Sequence, residues 1–555
     1  MTKPGPTQFR GWFWLCAALT VFKLWLTRAQ PVYAIGNAAL DDRLFLELAQ
    51  SIVRGDWLGA YNQNTLAKGA AFPLWIAATF WLGLPLGLAQ QGLYAAACAL
   101  FTKACRPALP STGVRACLYL LLLWNPMSYE AHTLARIMRQ NIYTPLEIIA
   151  FAGWVALYWR KEQDFRRQLP WAALAGFATG LFWLTREESV WILPSLFLLG
   201  GAALLGARKI GTSSLKTMVY STIVFSLCWA IPIGLVSWEN QRHYGWFGTV
   251  ELKSREFQDA YGAMLRVKIG PELHQIPVTR QAREAMYKVS PTFAKLRPQL
   301  EGPIGDGWSE KVWFPAAERQ IRGGWLMWAL RDAVAASGNA PNAKTALRFY
   351  ASMAKEINAA CDDGRLPALS PRSTLFPPWR KGQTAETVRV FLFFTDFVGG
   401  FRSFDVRTPL SIGDHDELLL FYDLTRDRIT SSLQSAVMPL ANQEALNERK
   451  FVLLHRIGYA LCQLLTSVLV VAHVMLAIRL FQTIRVRRFP YPLILAAASW
   501  GGAVGYLLLN TLVHVTSFPV TAVSTFSPIY PLLLIFIAAV IWDATTAWSF
   551  FKRLE

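Results

Sequence analysis

The stretch ALDDRLFLELAQSIVRGDWLGAYNQNTLAKGAAFPL (39–74) decides how the rest of the chain is read. It follows a first apolar run at 11–28 and sets two adjacent carboxylates, Asp41 and Asp42, directly ahead of an amphipathic segment. Phe45, Leu48, Ala49, Ile52 and Val53 recur at helical spacing and form one apolar stripe. One of the two Asp residues can serve as the N-cap of that helix, which needs no chemistry. A carboxylate at a membrane surface can equally act as a general base, or as a metal or acceptor ligand. Lys68, next to Gly69, is either a snorkelling lysine or a phosphate ligand. The run 70–84 (AAFPLWIAATFWLGL) is short and Trp-rich, and predicts a helix dipping into one leaflet.

Outward from this stretch, the 555-residue chain is 53% hydrophobic and only 16% charged, with 23 Trp. A soluble domain carries about 25% charged residues. Disordered, fibrous and disulfide-stapled classes are therefore excluded, and a polytopic membrane protein is expected. A bilayer core needs roughly 20 apolar residues per helix. Ten runs qualify as candidate spans: 11–28, 86–103, 113–128, 141–160, 170–185, 188–207, 217–238, 451–478, 490–511 and 526–548. If 70–84 does not cross, every short basic connection falls on one side. Lys3 and Arg10, Lys103, Arg106 and Arg115, Arg160 to Arg167, Arg208 to Lys216, Arg479 to Arg488, and Lys552 with Arg553 make that side cytoplasmic. Both termini are then inside, and the net charge of +19 is largely an orientation signal rather than a nucleic-acid footprint. The TKPGPTQFR start lacks a small-residue cleavage site, so the first apolar run reads as an uncleaved helix. Seven scattered Cys without C-x-x-C spacing read as buried hydrophobes, and the seven His show no zinc spacing.

Three blocks follow from this layout: a transmembrane module at 1–238 with its first outer loop at 29–85, an exterior stretch at 239–450, and a three-span segment at 451–555. The exterior stretch is polar, rich in Pro and Gly, and predicted to be α-rich; NAKTALRFYASMAKEINAACDDG (342–364) has the spacing of an amphipathic helix ending at Gly364. FLFFTDFVGGF (391–401) reads as core or as a membrane-grazing element.

Two further charged clusters fall on the same outer side as Asp41 and Asp42. NPMSYEAHTLARIMRQNIY (125–143) carries Glu130, His132, Arg136 and Arg139. Arg on the outside opposes the orientation trend, and Arg136 and Arg139 at i, i+3 can grip one phosphate. LTREESVWILP (184–194) sets Arg186, Glu187 and Glu188 in a tight turn between two spans, where ionisable groups are functional candidates by default. Snorkelling and simple turn formation are the bland readings of both clusters. Carboxylates and guanidiniums together at one bilayer surface suit an anionic, membrane-resident substrate such as a polyprenyl phosphate headgroup.

An acidic pair in the first outer loop, a juxtamembrane helix, short-looped spans and a late exterior domain resemble the GT-C superfamily of membrane glycosyltransferases. That superfamily includes oligosaccharyltransferases, protein O-mannosyltransferases, aminoarabinose transferases and arabinofuranosyltransferases. The segments DDRLFLELAQSIVRGDWLG, YNQNTLAKGAAFPL, NPMSYEAHTLARIMRQNIY and LTREESVWILP are similar to those of a bacterial group related to the polyprenyl-phosphate-sugar-dependent transferases. The resemblance covers 1–238. It implies an all-α, GT-C-like fold of about ten spans with juxtamembrane helices, and an exterior, periplasmic domain inserted before the last three spans. It also implies inverting transfer of a hexosyl or pentosyl group from a polyprenyl-phosphate donor to a hydroxyl of a glycan, lipid or protein acceptor, at the outer face of the bacterial inner membrane. Asp41 or Asp42 would then be the catalytic base, Glu187 or Glu188 the second acidic position, and Lys68, Arg136, Arg139 and Arg186 the phosphate ligands. Some members of the superfamily use a divalent metal such as Mg or Mn, which two adjacent Asp are compatible with but do not demand. The chain departs from the pattern in lacking a W-W-D-x-G signature, and STFSPIYPLLL (524–534) has Ser527, Pro528 and Tyr530 where relatives often carry an Arg-Tyr pair. The competing readings are a transporter or flippase of lipid-linked saccharides and a non-catalytic GT-C-like scaffold. Span interiors nearly free of charge argue against the first.

Overall fold

The computed structural model describes residues 6–430, 441–486, 489–520 and 522–551. Lys3, Arg487, Arg488, Lys552 and Arg553, part of the expected cytoplasmic charge, lie outside the described residues. The protein is an all-α polytopic membrane protein. Strand-like pairing is confined, among the described residues, to isolated bridges such as Val32 with Ile429 and Ile35 with Ile412.

The membrane module comprises α1 (Pro6–Thr27), α2 (Asp42–Arg54), α3 (Ala71–Trp81), α4 (Leu86–Ala104), α5 (Thr112–Leu123), α6 (Ala131–Leu134), α7 (Gln140–Trp159), α8 (Phe165–Thr185), α9 (Leu193–Ile210) and α10 (Thr212–Tyr244). The exterior stretch adds α11 (Arg255–Arg266), α12 (Arg280–Val289), the short α13 (Pro291–Ala294), α14 (Arg297–Leu300) and α15 (Pro303–Trp308), then α16 (Gly323–Ala336), α17 (Ala343–Asp362), α18 (Gln383–Gly399) and α19 (His415–Thr425). The chain closes with α20 (Ala441–Val486), α21 (Tyr491–Thr516) and α22 (Ile529–Phe551).

Each of the ten apolar runs falls on a helix, but by length and apolarity six helices can cross a bilayer among the described residues. The shortfall has physical causes. The 12-residue α5 rises only about 18 Å. Lys23 and several Trp dilute α1, as Gln168, Thr and Gly dilute α8. α3 and α4 would form a seventh span only if joined, and they bend by 110° at their junction. This bend keeps the 70–84 segment off the axis of α4.

Packing is tightest where side chains are smallest. Gly176 and Gly180, four residues apart on α8, face the Phe225 carbonyl, Pro232 and the Trp229 carbonyl of α10, so a Cβ at either position would collide. This small-residue spacing lets two apolar helices approach closely where there is no hydrophobic drive between them. α7 sits at the centre, packed on α4, α8 and α9 and almost wholly buried.

The exterior stretch divides. Residues 250–366 enclose their own core around Phe257, Tyr261, Met264, Leu330 and Met353. α17 starts in an Asn342–Thr345 capping box and stops before Gly364, at φ 80°. α18 and α19 instead pack against the membrane module, α18 on α21 and α19 on α2 and α3. In 391–401, Phe394, Val398 and Phe401 join the core of the membrane module, while Leu392 and Phe393 are exposed.

The first outer loop is stitched between two other segments. The Val32 N–H donates to the Arg428 carbonyl (2.6 Å), that of Tyr33 to Ala135 (2.9 Å) and that of Gly36 to Ile412 (2.7 Å). A buried ion pair fastens it to the exterior core: Arg331 Nη1 lies 2.6 Å from Glu251 Oε2, both side chains 1% exposed. Tyr61 donates to Glu251 (2.5 Å), and Arg331 donates to the Gln63 carbonyl (2.6 and 3.0 Å). Arg331→Met leaves Glu251 buried without its counter-ion, so it is expected to lower stability by about 3–5 kcal/mol. Adding Glu251→Leu should recover most of that loss, both read from unfolding of the detergent-solubilised protein.

Candidate active site

The site is built from the ends of helices and the loops between them. Asp41 occupies the N-cap position of α2, but its side chain makes no capping hydrogen bond. It accepts instead from Lys68 Nζ at 2.6 Å, and Lys68 also donates to the Leu40 carbonyl. Asp41 thus takes the N-cap position that the sequence allowed, with its side chain on Lys68 instead of on the helix backbone. Asp42 begins α2 and is completely buried. Arg136 holds both of its oxygens, Nε at 3.2 Å on Oδ1 and Nη2 on Oδ2, and the Ile137 N–H adds a third bond at 3.2 Å.

Arg139, three residues on, reaches the tight turn after α8. Its Nη1 donates to both oxygens of Glu187 (2.7 Å each) and to the Thr185 carbonyl (3.1 Å). The Gly69 N–H donates to Glu187 as well (3.1 Å). Only glycine permits this approach, because a Cβ at position 69 would strike the Leu184 carbonyl. Arg186 pairs with Glu188. The Phe45 ring lies under both Lys68 Nζ (5.1 Å) and Arg139 Cζ (5.6 Å), a cation–π seat joining the two pairs.

Eight of the ten candidates therefore meet in one cluster: Asp41, Asp42, Lys68, Arg136, Arg139, Arg186, Glu187 and Glu188. Glu130 and His132 do not join it. Glu130 caps α6, its carboxylate accepting from the N–H groups of His132 and Thr133 (2.9 Å each), and the His132 side chain is exposed. Two members were not legible in the sequence, and both come from the exterior stretch. Lys253 stacks on Trp183 (4.9 Å) in the field of Glu187 and Glu188, with no ion pair among the described residues. Trp328 of α16 lies 5.6 Å from Lys68 Nζ. Neither carries a local signal, since each is brought in by the docking of the exterior core. The sequence reading also passed over Glu147, a fully buried carboxylate inside α7 whose oxygens have no hydrogen-bond partner.

The electrostatics separate the carboxylates. Burial works against ionisation of Asp41, but the charge and hydrogen bond of Lys68, with the fields of Arg136 and Arg139, outweigh it and hold the carboxyl below its usual range. For Asp42 burial wins over Arg136 and pushes the carboxyl up. Glu187 is held well below its usual range: Arg139 and Lys253 overcome its burial. Burial depresses the Lys68 ammonium, with Asp41 opposing. The Asp41 side chain is 48% exposed, against 0% for Asp42. Asp41 is thus the one of the adjacent pair that an incoming group can reach. Each Asp is bound to a cation, and among the described residues no three His, Cys, Asp or Glu side chains assemble as metal ligands.

No family model matches the chain, and no curated protein matches it. Among solved structures, the crystal structure of ArnT from Cupriavidus metallidurans in the apo state aligns with a TM-score of 0.32 and 13% identity, over 96% of this chain and 77% of that one. At that score the alignment does not bear on the chemistry.

Burial pushes Glu130 up to about 7 against the pull of its capping bonds. An acid raised in the folded state stabilises below its unfolded pKa and loses that contribution as pH rises through the folded value. The stability of the protein relative to Glu130→Gln is therefore expected to fall between about pH 4.5 and pH 7. Unfolding midpoints of the two proteins across that range check it.

Proposed function

We propose that the chain is a GT-C-type membrane glycosyltransferase that moves a sugar from a polyprenyl-phosphate donor to an acceptor hydroxyl, with inversion, at the outer face of the bacterial inner membrane. The observation that carries the reading is the Asp41–Lys68 pair: a half-exposed carboxylate, held ionised, within a charged cluster at the end of a membrane bundle. Such a group suits general-base work on a hydroxyl, and a membrane-resident donor accounts for its position beside the bilayer.

In this mechanism Lys68 holds Oδ1 of Asp41, leaving Oδ2 to take the proton of the acceptor hydroxyl. The acceptor oxygen bonds to the anomeric carbon from the face opposite the phosphate. The anomeric carbon–oxygen bond breaks, and its electron pair goes to the phosphate oxygen, so a single displacement inverts the centre. Negative charge grows on the leaving phosphate, and cations positioned there lower the barrier. Arg136 binds Asp42 through Nε and Nη2, and Arg139 binds Glu187 through Nη1, so each guanidinium keeps donors for a phosphate. Arg186, whose buried Nη1 has no hydrogen-bond partner, and Lys253 add to that capacity. Glu187 and Glu188 act as positioning residues, orienting Arg139 and Arg186.

The test is a proteoliposome assay with a panel of polyprenyl-phosphate-linked radiolabelled pentoses and hexoses, following release of polyprenyl phosphate. Asp41→Asn is expected to slow release by about 10²–10⁴-fold with the fold intact. Lys68→Met removes the main group opposing burial at Asp41, so the acidic limb of the pH profile should move to higher pH. Undiminished release in Asp41→Asn overturns the base assignment. Donor crossing the bilayer with its sugar retained, and without release, would replace the enzyme reading by the transporter.

A further inference from the structure

α1 and α4 meet the first outer loop at their Thr27 and Leu86 ends, where Arg28 pairs with Asp427 and the Gly87 N–H donates to the same carboxylate at 2.8 Å. Both helices then run away from the charged cluster. Lys103 lies 17 residues beyond Leu86, about 26 Å along α4. At that far end α1, α4 and α5 part to leave a cleft of about 500 Å³. Its inner walls are mainly apolar, with Trp12 and Phe13 from α1 and Ala99 from α4. The hydrogen-bonded pair Thr20 and Tyr119 (2.7 Å) sits two turns deeper. Lys103, Arg106 and Arg115 line the same cleft at its outer end, and none of the three has an ion-pair partner among the described residues. Arg115 spends donors on the Leu109 and Pro110 carbonyls (2.5 and 2.8 Å) and on Thr112 (3.3 Å), all uncharged. Arg106 repels both Arg115 and Arg160, so like charge is concentrated here.

An orientation signal alone requires basic residues on this side, but not a cleft beneath them. An apolar slot ending in three uncompensated cations is complementary to a single chemical class: an acyl chain joined to a phosphate. We propose that this cleft binds one anionic glycerophospholipid of the leaflet opposite the charged cluster, its acyl chain between Trp12 and Ala99 and its phosphate on Lys103, Arg106 and Arg115. The site is separate from the proposed transfer chemistry and stands whether or not that reading holds. Bound lipid would brace the far ends of α1, α4 and α5, the last of which is too short to span alone.

The test uses the full-length protein, stripped of co-purifying lipid and titrated in detergent with phosphatidylglycerol or, separately, phosphatidylcholine, with bound lipid counted by native mass spectrometry. One phosphatidylglycerol should be retained at least about tenfold more tightly than phosphatidylcholine. The double variant Lys103→Gln/Arg106→Gln changes two exposed side chains. It should weaken phosphatidylglycerol roughly 30-fold and leave phosphatidylcholine unchanged. Ala99→Trp fills the cleft without altering charge and should abolish the tightly held lipid. Equal retention of the two lipids by the unaltered protein overturns the proposal. So does full phosphatidylglycerol affinity in either variant.

Discussion

An ionised side chain at the end of a membrane bundle is tolerated only when a counter-charge or a set of hydrogen bonds takes over from the water it has lost. The centre of this molecule is organised by that requirement. Asp42 is fully buried, and Arg136 with the Ile137 N–H satisfies it; Glu187 is satisfied by Arg139 and the Gly69 N–H. These bonds join residues far apart in the chain, so the first outer loop, the 136–139 segment and the turn at 186–188 are fixed relative to one another. Gly69 is part of the same constraint, because its missing Cβ lets the loop lie against the Leu184 carbonyl.

Residues of one type receive different environments within this frame. Asp41 and Asp42 are neighbours, yet one is half exposed and held ionised while the other is sealed against a guanidinium. Arg139 gives its Nη1 to Glu187 and Thr185, whereas Arg186 keeps a buried donor free of hydrogen bonds. One reachable carboxylate thus stands beside three that are bound to guanidiniums.

The exterior stretch is part of the frame. The Glu251–Arg331 pair fastens its core to Tyr61 and Gln63 of the first loop, and Lys253, two residues from Glu251, is delivered to the charged cluster by that contact. Five cations thus face four carboxylates, an imbalance that favours an anion. α18 and α19 return to the membrane module and close the first loop from the opposite side, through the backbone bonds at Val32 and Gly36.

The sequence alone determined that the chain is helical and membrane-bound, because apolar runs of spanning length and the sparing use of charge are local properties. It also marked Asp41, Asp42, Arg136, Arg139 and the 186–188 turn, because charge beside a bilayer is costly wherever it occurs. Tertiary structure alone decided the pairing: which Asp is sealed, that Glu130 caps a helix instead of joining the cluster, and that Lys253 and Trp328 complete it. It also limited the helices able to cross alone, through the shortness of α5 and the bend between α3 and α4. The reason is the range of the forces. Hydrophobic length is written into consecutive residues, whereas the burial and field that set a carboxylate's state come from side chains tens to hundreds of positions away.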